Sequence, residues 1–302
     1  MLPMALVCCC KHDRINKILV TALLAVLGNV AMAASGWSLV DGSYQTILAN
    51  KSSELVVWRL AENQEVMVLD FPSMAQQGRT FNRITQLIEQ FSEPYKRVLT
   101  MDELQKYFEA IRRNDANFAY GHDVLVSELV LFYNLVDRDK VELFPEELAL
   151  RDFLIEQNLV RVWRGIYQST KPDQVLISVP QIRERGESEP RITAQARRAV
   201  MLHELAHGEY YTNVYYARYC RKYWSDILTD NQREIFSRFL SKYNYDVNRQ
   251  ELLVNEMQAY LMFTPDPHSF SAEKLGITET ELNLMRKSFR NGRPPTKLPL
   301  SE

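Results

Sequence analysis

Two histidines and a glutamate that could bind and use a metal ion stand close together in the segment His203-Glu204-Leu205-Ala206-His207. If this segment is helical, His203 and His207 lie on the same face one turn apart, so both imidazoles can bind one metal ion. Glu204 would then stand beside the metal as a general base. The alternative is a helix whose two histidines are satisfied by hydrogen bonds within the core.

The surrounding sequence favours the metal site. Thr193 is a suitable N-cap for a helix that runs through Ala199 and Val200 to His207, and the histidines lie on its apolar stripe. A short apolar strand, residues 175–179, precedes this helix and is closed by a proline.

A catalytic zinc ion usually has three protein ligands and a water, so a third ligand is required. The candidate is Glu256, on a helix predicted over residues 248–263 in which Leu252, Tyr260 and Phe263 share its face. Burying an unpaired carboxylate costs on the order of several kcal/mol, so a cation or a proton should accompany it. The alternative is a salt bridge to an internal arginine or lysine. Among the rival ligands Glu251, Asp246 and His268, the face that carries Glu251 looks solvated.

With the segment HELAH on one helix and NEMQAY on a later one, the chain resembles the gluzincins over roughly residues 193–263. The resemblance implies that His203, His207 and Glu256 bind zinc and that Glu204 activates the water. It also implies a zincin-like core, in which the strand at 175–179 forms the edge of a small sheet and lines the substrate cleft.

Two positions separate this chain from better-known zinc peptidases. The metzincin pattern HExxHxxGxxH is absent, because Tyr210 and Asn213 replace its glycine and last histidine. Thermolysin-type enzymes carry an aspartate four residues after the ligand glutamate, where this chain has Tyr260. The outer-shell partner of a zinc-bound histidine must therefore come from another residue.

The donor that would stabilise the oxyanion of a hydrolysis reaction stays open among several side chains. The candidates are His268, Tyr210, Tyr211 and Tyr260. His122 is interpreted as a structural residue in a loop. The aromatic residues that follow the motif are expected to pack in the core, with a role in lining a substrate subsite as the alternative.

The rest of the chain predicts an α+β fold that is mostly helical with a small β-sheet. Apolar runs at 54–60 and 65–71 flank a turn and indicate a β-hairpin. From there to residue 168 the spacing is mostly helical, with helices near 125–136 and 146–160. Capping boxes are expected at Thr100/Glu103, Thr229/Gln232 and Thr278/Glu281.

The first 33 residues have the layout of a secretory signal peptide: scattered positive charge, an apolar run over 18–30 and the small-x-small pattern Ala31-Met32-Ala33. The apolar run is short for a membrane span. We therefore expect residues 34–302 to form an exported, periplasmic or secreted domain without a membrane span, with 34–170 considered as an N-terminal subdomain. A formal net charge of −2 gives no indication of a nucleic-acid partner.

These observations predict an exported bacterial zinc metallopeptidase that acts on a protein, a peptide or a cell-wall peptide. The alternative is a zinc-containing binding or structural protein of the bacterial envelope. Glu204 argues against that alternative, because a purely structural site has no use for a free carboxylate beside its metal.

Overall fold

The computed structural model describes residues 35–90, 97–184, 186 and 189–297. The predicted signal peptide, residues 1–33, lies outside the described residues. The fold is α+β, as expected, with a small mixed sheet among many helices. The strands are β1 (Leu39–Gly42), β2 (Val56–Leu60), β3 (Val66–Phe71), β4 (His122–Leu125), β5 (Val160–Trp163), β6 (Ile166–Ser169) and β7 (Val175–Pro180).

Five of these strands form the main sheet in the order β1-β2-β3-β7-β4. The predicted hairpin is confirmed: β2 and β3 are antiparallel. β1 runs parallel to β2, β3 runs parallel to β7, and β4 closes the sheet antiparallel to β7. The sheet thus takes strands from both sides of residue 170.

The expectation that the strand at 175–179 forms the edge of a small sheet is wrong. β7 lies between β3 and β4, and all of its residues are buried. A continuous apolar run is what a strand covered on both faces requires. The edge strand next to β7 is the short β4. Its polar residues His122 and Asp123 interrupt the apolar pattern by which a strand is predicted from sequence.

The described helices surround this sheet. They are α1 (Tyr44–Ala49), α2 (Met74–Ile88), α3 (Met101–Ile111), α4 (Val126–Asp139), α5 (Pro145–Glu156), α6 (Ala194–Thr212), α7 (Val214–Lys222) with a π-helical extension (Tyr223–Ile227), α8 (Asp230–Ser241), α9 (Gln250–Phe263), α10 (Ala272–Leu275) and α11 (Glu279–Gly292). The three predicted capping boxes are present, and Thr193 caps α6 through the backbone N–H of Ala196. No described helix is long and apolar enough to cross a membrane.

The region up to residue 168 was expected to be mostly helical, and for residues 160–168 this was wrong. β5 and β6 form a separate two-stranded hairpin that packs on α4. Its two turn residues, Arg164 and Gly165, have φ values of 51° and 75°. Two successive positive φ values match the twist of a two-residue hairpin turn.

The main sheet separates two hydrophobic layers. Val66 and Val68 of β3 face the layer formed with α6 and α9, whereas Met67 and Leu69 face the layer formed with α2 and α4. This alternation follows from the two-residue period of a strand. Because α6 packs directly on β7, its inner face is held against the sheet next to β4.

Candidate metal centre

The two histidines of α6 point their ring nitrogens at a common point. Nε2 of His203 and Nε2 of His207 are 3.1 Å apart. His207 is almost fully buried, while 12% of the His203 side chain is exposed. The helical spacing predicted from the sequence therefore brings both imidazoles together, and the centre meets solvent on the side of His203.

Glu256 of α9 completes the group, because α9 packs along α6. Its Oε2 lies 3.7 Å from His203 Nε2, and its Oε1 lies 3.8 Å from His207 Nε2. The carboxylate is buried, and Oε2 has no hydrogen-bond partner within the described ranges. In those same ranges the basic groups within ion-pair distance of Glu256 are the two histidines, and no arginine or lysine reaches it.

The spacing of these three side chains fits one metal ion. Two ligand atoms that each lie ~2.0–2.1 Å from a tetrahedral zinc are about 3.3 Å apart. The measured separations of 3.1, 3.7 and 3.8 Å lie around that value. His203, His207 and Glu256 therefore form a group that could hold a metal ion.

Thr264, just after α9, sets the tautomer of His203. Its hydroxyl donates its single hydrogen to the carbonyl oxygen of Ala259 (3.0 Å), so the same oxygen must accept from Nδ1–H of His203 (2.8 Å). Nε2 then keeps its lone pair for a metal. Burial lowers the pKa of His203 to about 4, which keeps the ring neutral at pH 7. Thr264 thus supplies the hydrogen bond that orients His203.

Asp123 of the edge strand β4 also faces the histidines, although no motif in the sequence marks it. Its Oδ1 lies 3.8 Å from Nε2 of His207. Asp123, Glu204 and His207 form a second group that could hold a metal ion and that shares His207 with the first. All three are buried. Glu204 can therefore act either as a base beside the ion or as one of its ligands.

Gly121 makes room for the side chain of Glu204. A Cβ atom at this position would overlap Oε1 of Glu204 and lie 2.6 Å from its Cδ and 2.7 Å from its Cγ. The carboxylate of Glu204 thus rests against backbone where any other residue would place a side chain. The segment around β4 fixes the position of this carboxylate.

Carboxylates crowd this centre. Burial, then the charges of Asp123 and Glu256, raise the pKa of Glu204 well above its usual range. Burial also raises the pKa of Glu256 to about 7, and Asp123 adds to this while His207 and a hydrogen bond from Tyr245 oppose it. Burial and the same three carboxylates raise the pKa of Glu89. A cation bound between these carboxylates would offset the mutual repulsion that contributes to their raised pKa values.

Two of the four candidate oxyanion donors lie at the centre. The ring of Tyr260 packs edge-on against His203, with centroids 4.6 Å apart. Tyr211 forms a hydrogen bond with Asp123. Tyr210 donates instead to Oε1 of Glu251 at 2.5 Å, and His268 is an exposed residue of a turn.

The rival ligands are engaged elsewhere. Glu251 pairs with Arg221 and Tyr210, and Asp246 accepts hydrogen bonds from Asn248. His122 is structural, as interpreted, but it lies in β4 rather than in a loop, where its Nδ1 is 2.7 Å from Oγ of Ser178. Most of the aromatic residues after the motif are buried in the core, namely Tyr210, Tyr216, Tyr223 and Trp224, whereas Tyr215 is exposed.

Comparisons with protein-family models, with curated proteins and with solved structures give no match to this chain. The likeness to gluzincins therefore rests on HELAH and NEMQAY alone, and its zincin-like core stays a prediction. The argument for function rests on the geometry of the centre.

Proposed function

We propose that this chain is an exported zinc metallopeptidase in which His203, His207 and Glu256 bind the zinc and Glu204 is the general base. The observation that carries the proposal is the convergence on one point of three ligand atoms from α6 and α9, of which those of His207 and Glu256 are buried. Two neutral imidazoles and one carboxylate are a usual ligand set for catalytic zinc, and they leave a fourth position for water. Glu204 stands next to His203 with no lysine or arginine paired to it among the described residues.

A zinc ion in this site would polarise a peptide carbonyl and acidify a water. Glu204 would then accept a proton from the attacking water and pass it to the leaving amine. Thr264 holds His203 with Nε2 free, and Gly121 allows the carboxylate of Glu204 to stay in place. Tyr260 and Tyr211 are the nearest candidates to donate a hydrogen bond to the oxyanion.

The substrate in this proposal is a protein, a peptide or a cell-wall peptide outside the cytoplasm. Support for export comes from the apolar run and the small-x-small pattern within residues 1–33. The partial exposure of His203 gives a substrate carbonyl one side from which to approach.

Glu204→Gln tests the chemistry, because glutamine keeps the shape of glutamate but cannot accept the proton. The variant should retain zinc and the fold and lose about 10²–10⁴-fold in rate. Mass spectrometry of a digested periplasmic extract measures hydrolysis without assuming a substrate, and elemental analysis measures zinc. Hydrolysis at the wild-type rate would show that Glu204 is not the base.

Glu256→Ala tests the ligand set, and Glu251→Ala is its matched control on the same helix. Loss of Glu256 leaves two histidines, so zinc content should fall strongly. Glu251 pairs with Arg221 at the surface, and its loss should leave zinc content unchanged. Equal zinc content in both variants would remove Glu256 from the site.

The second candidate is a zinc protein of the envelope without turnover, and the group formed by Asp123, Glu204 and His207 favours it. In that arrangement Glu204 is itself a ligand and no carboxylate is left to act as a base. Glu204→Gln and Asp123→Asn would then both lose zinc, and the wild-type protein would cleave nothing.

A further inference from the structure

The hairpin formed by β5 and β6 carries three large apolar side chains at an exposed tip. Val162, Trp163 and Ile166 are 49%, 54% and 53% exposed. Trp163 and Ile166 are directly paired across the two strands. Neighbouring strand residues point to opposite faces, so Val162 lies on the face opposite to Trp163. The tip is therefore apolar on both faces, and a partner that covers all three side chains has to surround it.

The base of the hairpin is fixed to the body of the protein. Val160 and Tyr167 are buried, and the side-chain amide of Asn134 in α4 both donates to the carbonyl of Tyr167 and accepts from its N–H, each at 3.0 Å. The turn itself is a tight two-residue turn at Arg164 and Gly165. The apolar tip is thus held in a fixed exposed position.

The hairpin is also positively charged. From 158 to 171 the sequence contains Arg161, Arg164 and Lys171 and no acidic residue, although the whole chain has a net charge of −2. The guanidinium of Arg164 lies 4.3 Å from the ring centroid of Trp163. Tryptophan beside basic residues is the combination found where proteins meet the headgroup region of a membrane.

We propose that the tip of the β5–β6 hairpin docks the protein on an anionic lipid bilayer. Trp163, Ile166 and Val162 enter the interfacial region, where lipid surrounds both faces of the tip. Arg161 and Arg164 remain at the level of the phosphate groups. This peripheral attachment needs no membrane span and does not depend on zinc.

A protein partner fits the tip less well. A stable protein interface buries about 800 Å² on each partner, and it does so with a core of packed residues. Three side chains around a two-residue turn supply much less than this, since even a large aromatic residue contributes only ~150–250 Å². Insertion into a bilayer requires only the apolar side chains of the tip and no larger packed interface.

Co-sedimentation with lipid vesicles tests the proposal with the purified mature protein. The wild-type protein should sediment with vesicles of phosphatidylglycerol and phosphatidylcholine, and less with phosphatidylcholine alone. Trp163→Ala should weaken binding about tenfold or more, because a large apolar side chain is removed. Arg161→Gln and Arg164→Gln should each weaken vesicle binding about fivefold. Added salt should also weaken binding, because it screens the attraction to anionic lipid.

Tyr215→Ala is the control for the loss of an exposed aromatic residue, because Tyr215 is 69% exposed outside the hairpin. It should bind vesicles as the wild type does, and Trp163→Phe should retain most of the binding. Circular dichroism and zinc content should not change in any of these variants. The proposal is overturned if the folded wild-type protein does not sediment with anionic vesicles, or if Trp163→Ala binds them as well as the wild type does.

Discussion

The protein buries carboxylates in two different ways, and both occur along α6. Near the start of this helix, Arg197 forms a fully buried pair with Asp70 of β3, with Nη1–Oδ1 and Nη2–Oδ2 distances of 2.6 and 3.0 Å. Arg83 pairs with Glu147 in the same manner in the other layer. Further along α6, Glu204 is buried beside Glu256 with no arginine paired to either carboxylate in the described part of the chain.

The difference separates carboxylates whose charge is balanced within the fold from carboxylates whose charge a bound cation could balance. A carboxylate with its own buried arginine needs nothing from outside, and breaking the pair leaves an uncompensated charge. A group of buried carboxylates without such a partner is stable at neutral pH only if protons or a cation are taken up. The first kind should govern unfolding, and the second should govern the response to metal and pH.

The largest effect on stability is expected at the arginine pair. Arg197→Met leaves Asp70 buried without its counter-charge, so the free energy of unfolding should fall by about 3–5 kcal/mol. Adding Asp70→Leu should recover much of this loss, because the second charge is then also absent. Urea unfolding of both variants and the wild type measures the difference. A single variant as stable as the wild type would mean that the pair contributes nothing to folding.

At the candidate metal centre, the loss of a carboxylate charge should stabilise the metal-free protein. Without metal, burial raises the pKa of Glu256 from 4.5 to about 7, so the folded protein holds a proton that the unfolded chain has lost. That contribution to stability is complete below pH 4.5 and disappears as the pH rises through about 7. Glu256→Gln should therefore gain stability relative to the wild type over this window in metal-free buffer.

With zinc at pH 8, the wild type should instead be more stable than Glu256→Gln. Zinc at 100 times its dissociation constant stabilises a protein that binds it only when folded by about 2.7 kcal/mol. The wild type should show this gain, and Glu256→Gln should lose most of it. Thermal unfolding with chelator and with zinc, each at several pH values, gives both comparisons. A difference between the two proteins that depends on neither pH nor zinc would contradict the assignment.

The parts of the site that the sequence predicted are those set by local periodicity. A spacing of four residues on one helix was enough to bring His203 and His207 together, and the apolar stripe around Glu256 placed its carboxylate inside. Asp123, Thr264 and Gly121 were missed. Each reaches the centre through a contact between segments distant in sequence, and no period within a single element carries that information.

The sheet shows the same limit. The β2–β3 hairpin was predicted because both strands and their turn are adjacent in the sequence. The position of β7 inside the sheet depends on β4, some fifty residues earlier, whose residues His122 and Asp123 look like loop residues. Those two polar residues are buried because one bonds to Ser178 and the other faces the metal centre. Two polar residues in a strand of four thus masked the strand pattern.

A smaller effect on stability is expected at Gly121, which lies against the side chain of Glu204. Gly121→Ala places a Cβ within 2.6 Å of Cδ and 2.7 Å of Cγ of Glu204, so the carboxylate must move. Overpacking of this kind should lower the free energy of unfolding by about 1–3 kcal/mol. In a Glu204→Ala background the clashing atoms are gone, and the same glycine substitution should be nearly neutral.

Gly78→Ala is the control for this cycle, because a Cβ there would meet the backbone carbonyl of Asp115 and has no contact with Glu204. Gly78→Ala should lower the free energy of unfolding equally in the wild-type and Glu204→Ala backgrounds. Gly121→Ala should lower it only in the wild-type background. If Gly121→Ala destabilises both backgrounds equally, the glycine is required by the backbone just before β4 and does not position Glu204. If the coupling is found and Gly121→Ala also retains zinc while hydrolysis falls, Gly121 positions the carboxylate of Glu204 without displacing the zinc ligands.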